Sequence, residues 1–224
     1  LQKGKTVGEY QLDKITGAAI KIATEPDTSE VTDESNTTGG DADNTATTVD
    51  KLHIFVGDSR TVGLSNAMGC VSYDKLLQIR TEENLTEYYL AEVGSGYSWY
   101  STKALPKLVK MLNENPAATV ILNHGINDLG NIDQYIASYQ WLIRVYPNTK
   151  FVIMSVNPVN RKLYKGYAKP ANITVFNQKM QAAFPNNFVN TYQYLQSMGF
   201  NTADGLHYDS LTYMNLYNYM QPYL

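Results

Sequence analysis

Residues 51–224 predict an α/β domain with a central parallel sheet and helices on both faces. Three observations predict it. Short apolar runs alternate with segments whose apolar residues recur at three- and four-residue steps. Polar clusters come after the apolar runs, as they do at the carboxyl ends of strands in open α/β sheets, where ligands sit. With 224 residues, 43% of them hydrophobic, the chain is long enough to bury one large core with some residues to spare.

The elements run in order along the chain. "LHIFV" (52–56) is a strand, and 59–67 a short helix. "YYLAEV" (88–93) is the next strand. In "STKALPKLVKMLNEN" (101–115), Leu105, Leu108, Val109 and Leu112 share one helical face. "TVILN" (119–123) is a strand. "NIDQYIASYQWLIRVYP" (131–147) is a helix, with Ile132, Ile136, Tyr139 and Ile143 in step. "KFVIMSV" (150–156) is apolar enough to be buried on both faces of a sheet. A helix over 171–184, a short strand over 187–190 and a closing helix, "LTYMNLYNYMQPYL", complete the pattern.

Ahead of this domain the composition changes twice. Residues 1–23 carry four Lys against Glu9 and Asp13, alternate weakly, and predict a strand or two of unassigned role. Residues 24–50, "TEPDTSEVTDESNTTGGDADNTATTVD", hold eight acids, no Lys or Arg and almost no apolar side chains. Such a stretch buries too little surface to offset its ordering entropy, so it reads as an acidic linker. The net charge of −3 therefore belongs to that segment; residues 51–224 carry fourteen basic and eleven acidic side chains. They show no basic cluster suited to nucleic acid. No run of about 18 apolar residues is present, so no membrane span is expected. The Thr/Ser/Asp linker suits a bacterial protein outside the cell or on its surface. Leu1 in place of an initiator Met reads as a processed chain or fragment, consistent with a removed signal or anchor.

The lone Cys70 excludes an internal disulfide and a Cys-based zinc site. It lies in "NAMGCVSY", an apolar stretch with no adjacent His or cation, and reads as a structural thiol. The three His are scattered without metal-ligand spacing, so no metal is expected.

The turns at the strand ends carry the chemistry. After the first strand comes "GDSR" with Ser59, after the second "GSGYSW", after the third "HGIND" with Asn127. Before the last helix stands "DGLHYD", with Asp204 and His207 three residues apart. A serine nucleophile needs a base, and the base needs an acid to fix its tautomer. A developing oxyanion needs donors, which glycine N–H groups and an Asn amide supply. Taken alone, "GDS" equally fits Asp58 and Ser59 as caps of the next helix. The four clusters in order, at successive strand ends, favour chemistry.

These four stretches resemble the SGNH/GDSL hydrolase family, over roughly residues 51–224. The resemblance implies a flavodoxin-like three-layer α/β/α sandwich. It implies Ser59 as nucleophile, His207 as general base and Asp204 as its orienting acid. The implied oxyanion hole comprises the Ser59 N–H, the Gly96 N–H and the Asn127 side chain. No cofactor is implied. Arg60 departs from the apolar residue common at that position, and the second block lacks the usual Asn, which leaves Gly94 as a rival to Gly96. Ser59 is not in a G-x-S-x-G elbow, against an α/β-hydrolase.

Other candidates lie around these motifs. Arg60 is a candidate to hold an anionic or sugar group, or to pair with a surface acid. Tyr97 is a candidate to stack on a sugar, with helix packing as the alternative. His124 is a candidate pocket residue or a structural His, and His53 a packed strand residue. The Lys-rich stretch 155–172 reads as a loop that shapes substrate choice or as solvated decoration. The expected activity is hydrolysis of acetyl or other short acyl esters, with a carbohydrate ester as substrate. A cell-wall O-acetyltransferase using the same residues and a non-catalytic glycan-binding module are the alternatives.

Overall fold

The computed structural model describes residues 10–12, 19–21 and 51–224. The chain separates into two compact units, Leu1–Val49 and Asp50–Leu224. In the first, β1 (Tyr10–Leu12) pairs antiparallel with β2 (Ala19–Lys21). The linker assigned to 24–50 lies outside the described residues.

The second unit is a seven-stranded sheet between two helical layers. Its strands are β3 (Lys51–Gly57), β4 (Val71–Ser72), β5 (Leu77–Glu82), β6 (Leu85–Ala91), β7 (Thr119–Asn123), β8 (Lys150–Met154) and β9 (Phe188–Val189). The order is β4-β5-β6-β3-β7-β8-β9. The run from β6 to β9 is parallel. The sheet is nevertheless mixed, because β5 and β4 add to its edge antiparallel. The central strands are parallel, as the sequence predicts, and the antiparallel edge is an addition that it does not announce. Residues 71–82 are mostly half-buried or exposed, so they lack the continuous apolar run that marks the central strands. The turn between β5 and β6 is two residues, Glu83 and Asn84, with Asn84 in the left-handed region at φ 60°. Asn tolerates that conformation better than most residues.

The helices are α1 (Ser59–Ala67), α2 (Tyr97–Trp99), α3 (Leu105–Glu114), α4 (Ile132–Val145), α5 (Pro170–Ala183), α6 (Thr191–Met198) and α7 (Ser210–Met220). Side chains alternate across the sheet. Phe55, Tyr89, Ile121 and Val152 pack with Leu64, Leu195, Tyr213 and Leu216 of α1, α6 and α7. Their neighbours Ile54, Val56, Val120 and Leu122 are equally buried on the other face, the side of α3, α4 and α5. Three layers result. Among the described residues no helix is long and apolar enough to cross a membrane.

Helix ends obey local chemistry. The helix expected from 101 begins earlier, at Tyr97, and passes through a π turn over Tyr100–Ala104. Pro106 has no N–H to give the carbonyl four residues back, and the Leu105 N–H bonds instead to the Tyr100 carbonyl. The final helix stops at Met220 and tightens into a 3₁₀ turn, Gln221–Tyr223, around Pro222. Strand β8 ends at Met154, two residues before the predicted end. The Asn177 side chain then bonds both the N–H (2.8 Å) and the carbonyl (2.9 Å) of Val156, standing in for a neighbouring strand.

Candidate active site

The carboxyl ends of β3, β6 and β7 each run into a polar turn. Gly57 ends β3, and Asp58 then caps α1: its carboxylate accepts from the Arg60 N–H at 2.9 Å. Capping and presentation are therefore both true of this turn. Asp58 caps, while Ser59 stands at the first helical position with an N–H that has no intrahelical acceptor. Complete burial pushes the Asp58 carboxyl up to about 6, although the Arg60 N–H and guanidinium oppose the shift.

Ser59 Oγ lies 2.8 Å from His207 Nε2, and His207 Nδ1 lies 2.6 Å from Asp204 Oδ2. The second Asp204 oxygen accepts from the Leu206 and His207 N–H groups, each at 2.8 Å. Burial pushes Asp204 up, but the His207 ring and these two N–H groups outweigh it and hold the carboxyl well below the usual range. The Asp–His turn closes through Gly205, at φ 82°; a side chain there would also collide with the Tyr164 backbone.

The turns after β6 and β7 are tied together. Asn127 Nδ2 donates to the Ser95 carbonyl at 2.8 Å, leaving its second N–H. Asp128 accepts from the Tyr97 N–H (2.5 Å), Asn131 Nδ2 (2.9 Å) and the Tyr135 hydroxyl (3.0 Å). A Cβ on Gly96 would sit 2.5 Å from that carboxylate, so Gly96 is bare where Asp128 crosses it. Gly94 serves a different need, a left-handed turn at φ 77°. The motif "GIND" points to Asn127 and conceals Asp128, whose one signal in the sequence is an acid directly after the amide.

Arg60, His124 and Tyr97 all make their contacts within the protein. Arg60 neither faces solvent nor pairs with an acid: it is 3% exposed. Its Nε donates to the Leu206 carbonyl (3.1 Å), and its two terminal nitrogens donate to the carbonyls of Asn157 (2.7 Å) and Pro158 (2.9 Å). The guanidinium also lies over the Tyr208 ring. Arg60 thus fastens the Ser59 turn to the His207 turn. His124 is buried rather than pocket-lining. It lies among Trp99, Tyr100 and Tyr135 with Nδ1 unpartnered, and burial holds its pKa down to about 3, so it is neutral at pH 7. Tyr97 is half-buried, with its ring edge-on to Tyr135 at 5.1 Å, a packing role. His53 is buried and reaches Glu87. Cys70 packs beside the core, and burial pushes its thiol up to about 11. Among the described residues no group of three or more His, Cys, Asp or Glu is placed to hold a metal ion.

No family model matches the sequence, and no curated protein matches it. Solved structures do. A protein described as a GDSL-like lipase from Parabacteroides merdae superposes at a TM-score of 0.59 with 13% identity, over 79% of this chain and 97% of the other. A lipase/acylhydrolase from Enterococcus faecalis gives 0.52 with 17% identity, over 74% and 91%. A catalytic mutant of an acetylxylan esterase from Geobacillus stearothermophilus gives 0.51 with 13% identity, over 78% and 94%. The α/β/α unit of this chain thus has the fold of the SGNH/GDSL hydrolases.

Proposed function

We propose that the protein is a serine ester hydrolase that removes acetyl or other short acyl groups from a carbohydrate. The observation that carries this reading is the unbroken line Ser59 Oγ–His207 Nε2 and His207 Nδ1–Asp204, at 2.8 and 2.6 Å. Ser59 attacks the ester carbonyl while His207 takes its proton. The protonated ring is stabilised by Asp204 and then gives that proton to the leaving alcohol. Water, deprotonated by His207, releases the acid from the acyl-enzyme, and Ser59 recovers its proton. The N–H groups of Ser59 and Gly96 and the second amide N–H of Asn127 hold the oxyanion. The acetylxylan esterase likeness supports an acetylated sugar as substrate.

A fluorophosphonate probe tests the nucleophile. Ser59 Oγ displaces fluoride from phosphorus and leaves a covalent adduct. Peptide mass spectrometry is expected to place that adduct on Ser59, with labelling slowed at least a hundredfold in His207→Ala. An adduct elsewhere, or equal labelling of the variant, would contradict the assignment.

A further inference from the structure

The stretch after β8 is more than a connection. The Asn160 N–H donates to the Gly205 carbonyl at 2.8 Å, and Tyr164 packs on the same glycine. The Tyr167 hydroxyl donates to the Ile126 carbonyl at 3.0 Å, next to Asn127. Residues 160–167 therefore bridge the Asp204–His207 turn and the Asn127 turn, forming one lip of the site.

That lip is cationic. Arg161, Lys162, Lys165 and Lys169 fall within nine residues, and the chain holds no acid between Asp133 and Asp204. None of the four forms an ion pair among the described residues. Arg161 instead lies over the Tyr164 ring and donates to the Gly166 carbonyl, which stiffens the turn between the lysines. The three lysines are exposed. On the nearest turn, Asp204 is occupied by His207 and two backbone N–H groups. Tyr167 is 55% exposed with its hydroxyl anchored, so its ring is held at the lip, and a flat aromatic face suits a sugar ring. Leu163 is the one strongly exposed aliphatic side chain of residues 160–169, too little apolar surface to bury in a membrane.

We propose that this lip binds the acyl carrier and that the carrier is an anionic polysaccharide. The proposal rests on the ester-hydrolase reading and specifies its substrate. Repeated carboxylates along a polymer match several unpaired lysines better than a neutral glycan does, and the attraction is screened by salt.

The test uses O-acetylated polygalacturonate, O-acetylated xylan as the neutral counterpart, and 4-nitrophenyl acetate, which is too small to need the lip. At low salt kcat/KM is expected to be about tenfold higher on the polyanion than on xylan, falling to near parity in about 0.5 M NaCl. Lys162→Glu with Lys165→Glu is expected to lower kcat/KM on the polyanion about tenfold through KM, and to leave 4-nitrophenyl acetate within about twofold. Equal rates on the two polymers, or a variant indifferent to charge, would overturn the proposal while leaving the hydrolase reading intact. Binding separates the two claims further. Ser59→Ala is expected to bind de-esterified polygalacturonate in affinity electrophoresis, and the charge-reversed form of it is not. Binding with no ester turned over would keep the lip and remove the hydrolase. Binding to phosphatidylglycerol vesicles but not to polygalacturonate would overturn the glycan in favour of a lipid surface.

Discussion

At the scale of single residues, the site is set as much by what fastens it as by what reacts. Arg60 fills a buried position and ties three backbone carbonyls on two loops, one of them next to His207. Arg60→Lys keeps the charge but cannot match the planar fork. It is expected to lower kcat by about 10²-fold with KM nearly unchanged, because the guanidinium touches the His207 turn rather than substrate; steady-state kinetics with 4-nitrophenyl acetate reads this. Asn127→Ala is expected to lower kcat by about a hundredfold or more through loss of one oxyanion donor. An unchanged kcat would remove Asn127 from the site. Asp58 carries a pH signature. Its folded pKa of about 6 stands above the ordinary 3.8, so the folded state holds the extra proton and stability falls as pH rises between those values. Asp58→Asn lacks that proton equilibrium. Relative to wild type, urea unfolding should show the variant gaining up to roughly 3 kcal/mol between pH 4 and pH 7.

At the scale of elements, the buried strands and the turns at their ends are legible in the sequence, and the sheet edge is not. Residues 54–56, 120–122 and 151–154 are continuous apolar runs because both faces of those strands are covered. In strand β5 only Leu77 is buried, and its polar Gln78 and Arg80 lie on the face that meets Ser65 of α1 and Tyr217 of α7, so the one nearby signal is the Asn84 turn. Helix α6 leaves no readable period because only Thr191 and Leu195 of its eight residues are buried. The edge is held by a polar knot that no local pattern announces. Glu87 on β6 is fully buried and accepts from Tyr217 of α7 (2.8 Å), Arg80 of β5 (2.9 Å) and Tyr89 (3.0 Å), with His53 of β3 at 3.4 Å. Burial pushes Glu87 up, and these partners together hold it below its ordinary value instead. Arg80→Met leaves that charge less compensated and is expected to cost about 2–4 kcal/mol, read as a shift in the urea midpoint.

At the scale of the whole unit, parallel strand ends gather Ser59, Gly96 and Asn127 at one edge, and the turn before α7 brings His207 and Asp204 to it. Their order along the sequence is enough to group them, because chain direction in a parallel sheet assigns every such turn to the same side. The 2.8 Å approach of Ser59 to His207, the Asp128 brace and the burial of Arg60 depend on residues 31 to 148 positions apart, beyond any spacing rule. The most direct test of the site as a whole is hydrolysis of 4-nitrophenyl acetate by wild type and by Ser59→Ala, both confirmed folded by circular dichroism. Turnover by the wild type that falls at least 10³-fold in Ser59→Ala is the predicted result. Equal turnover by the two proteins would contradict it and leave the Ser59 turn as a helix cap alone.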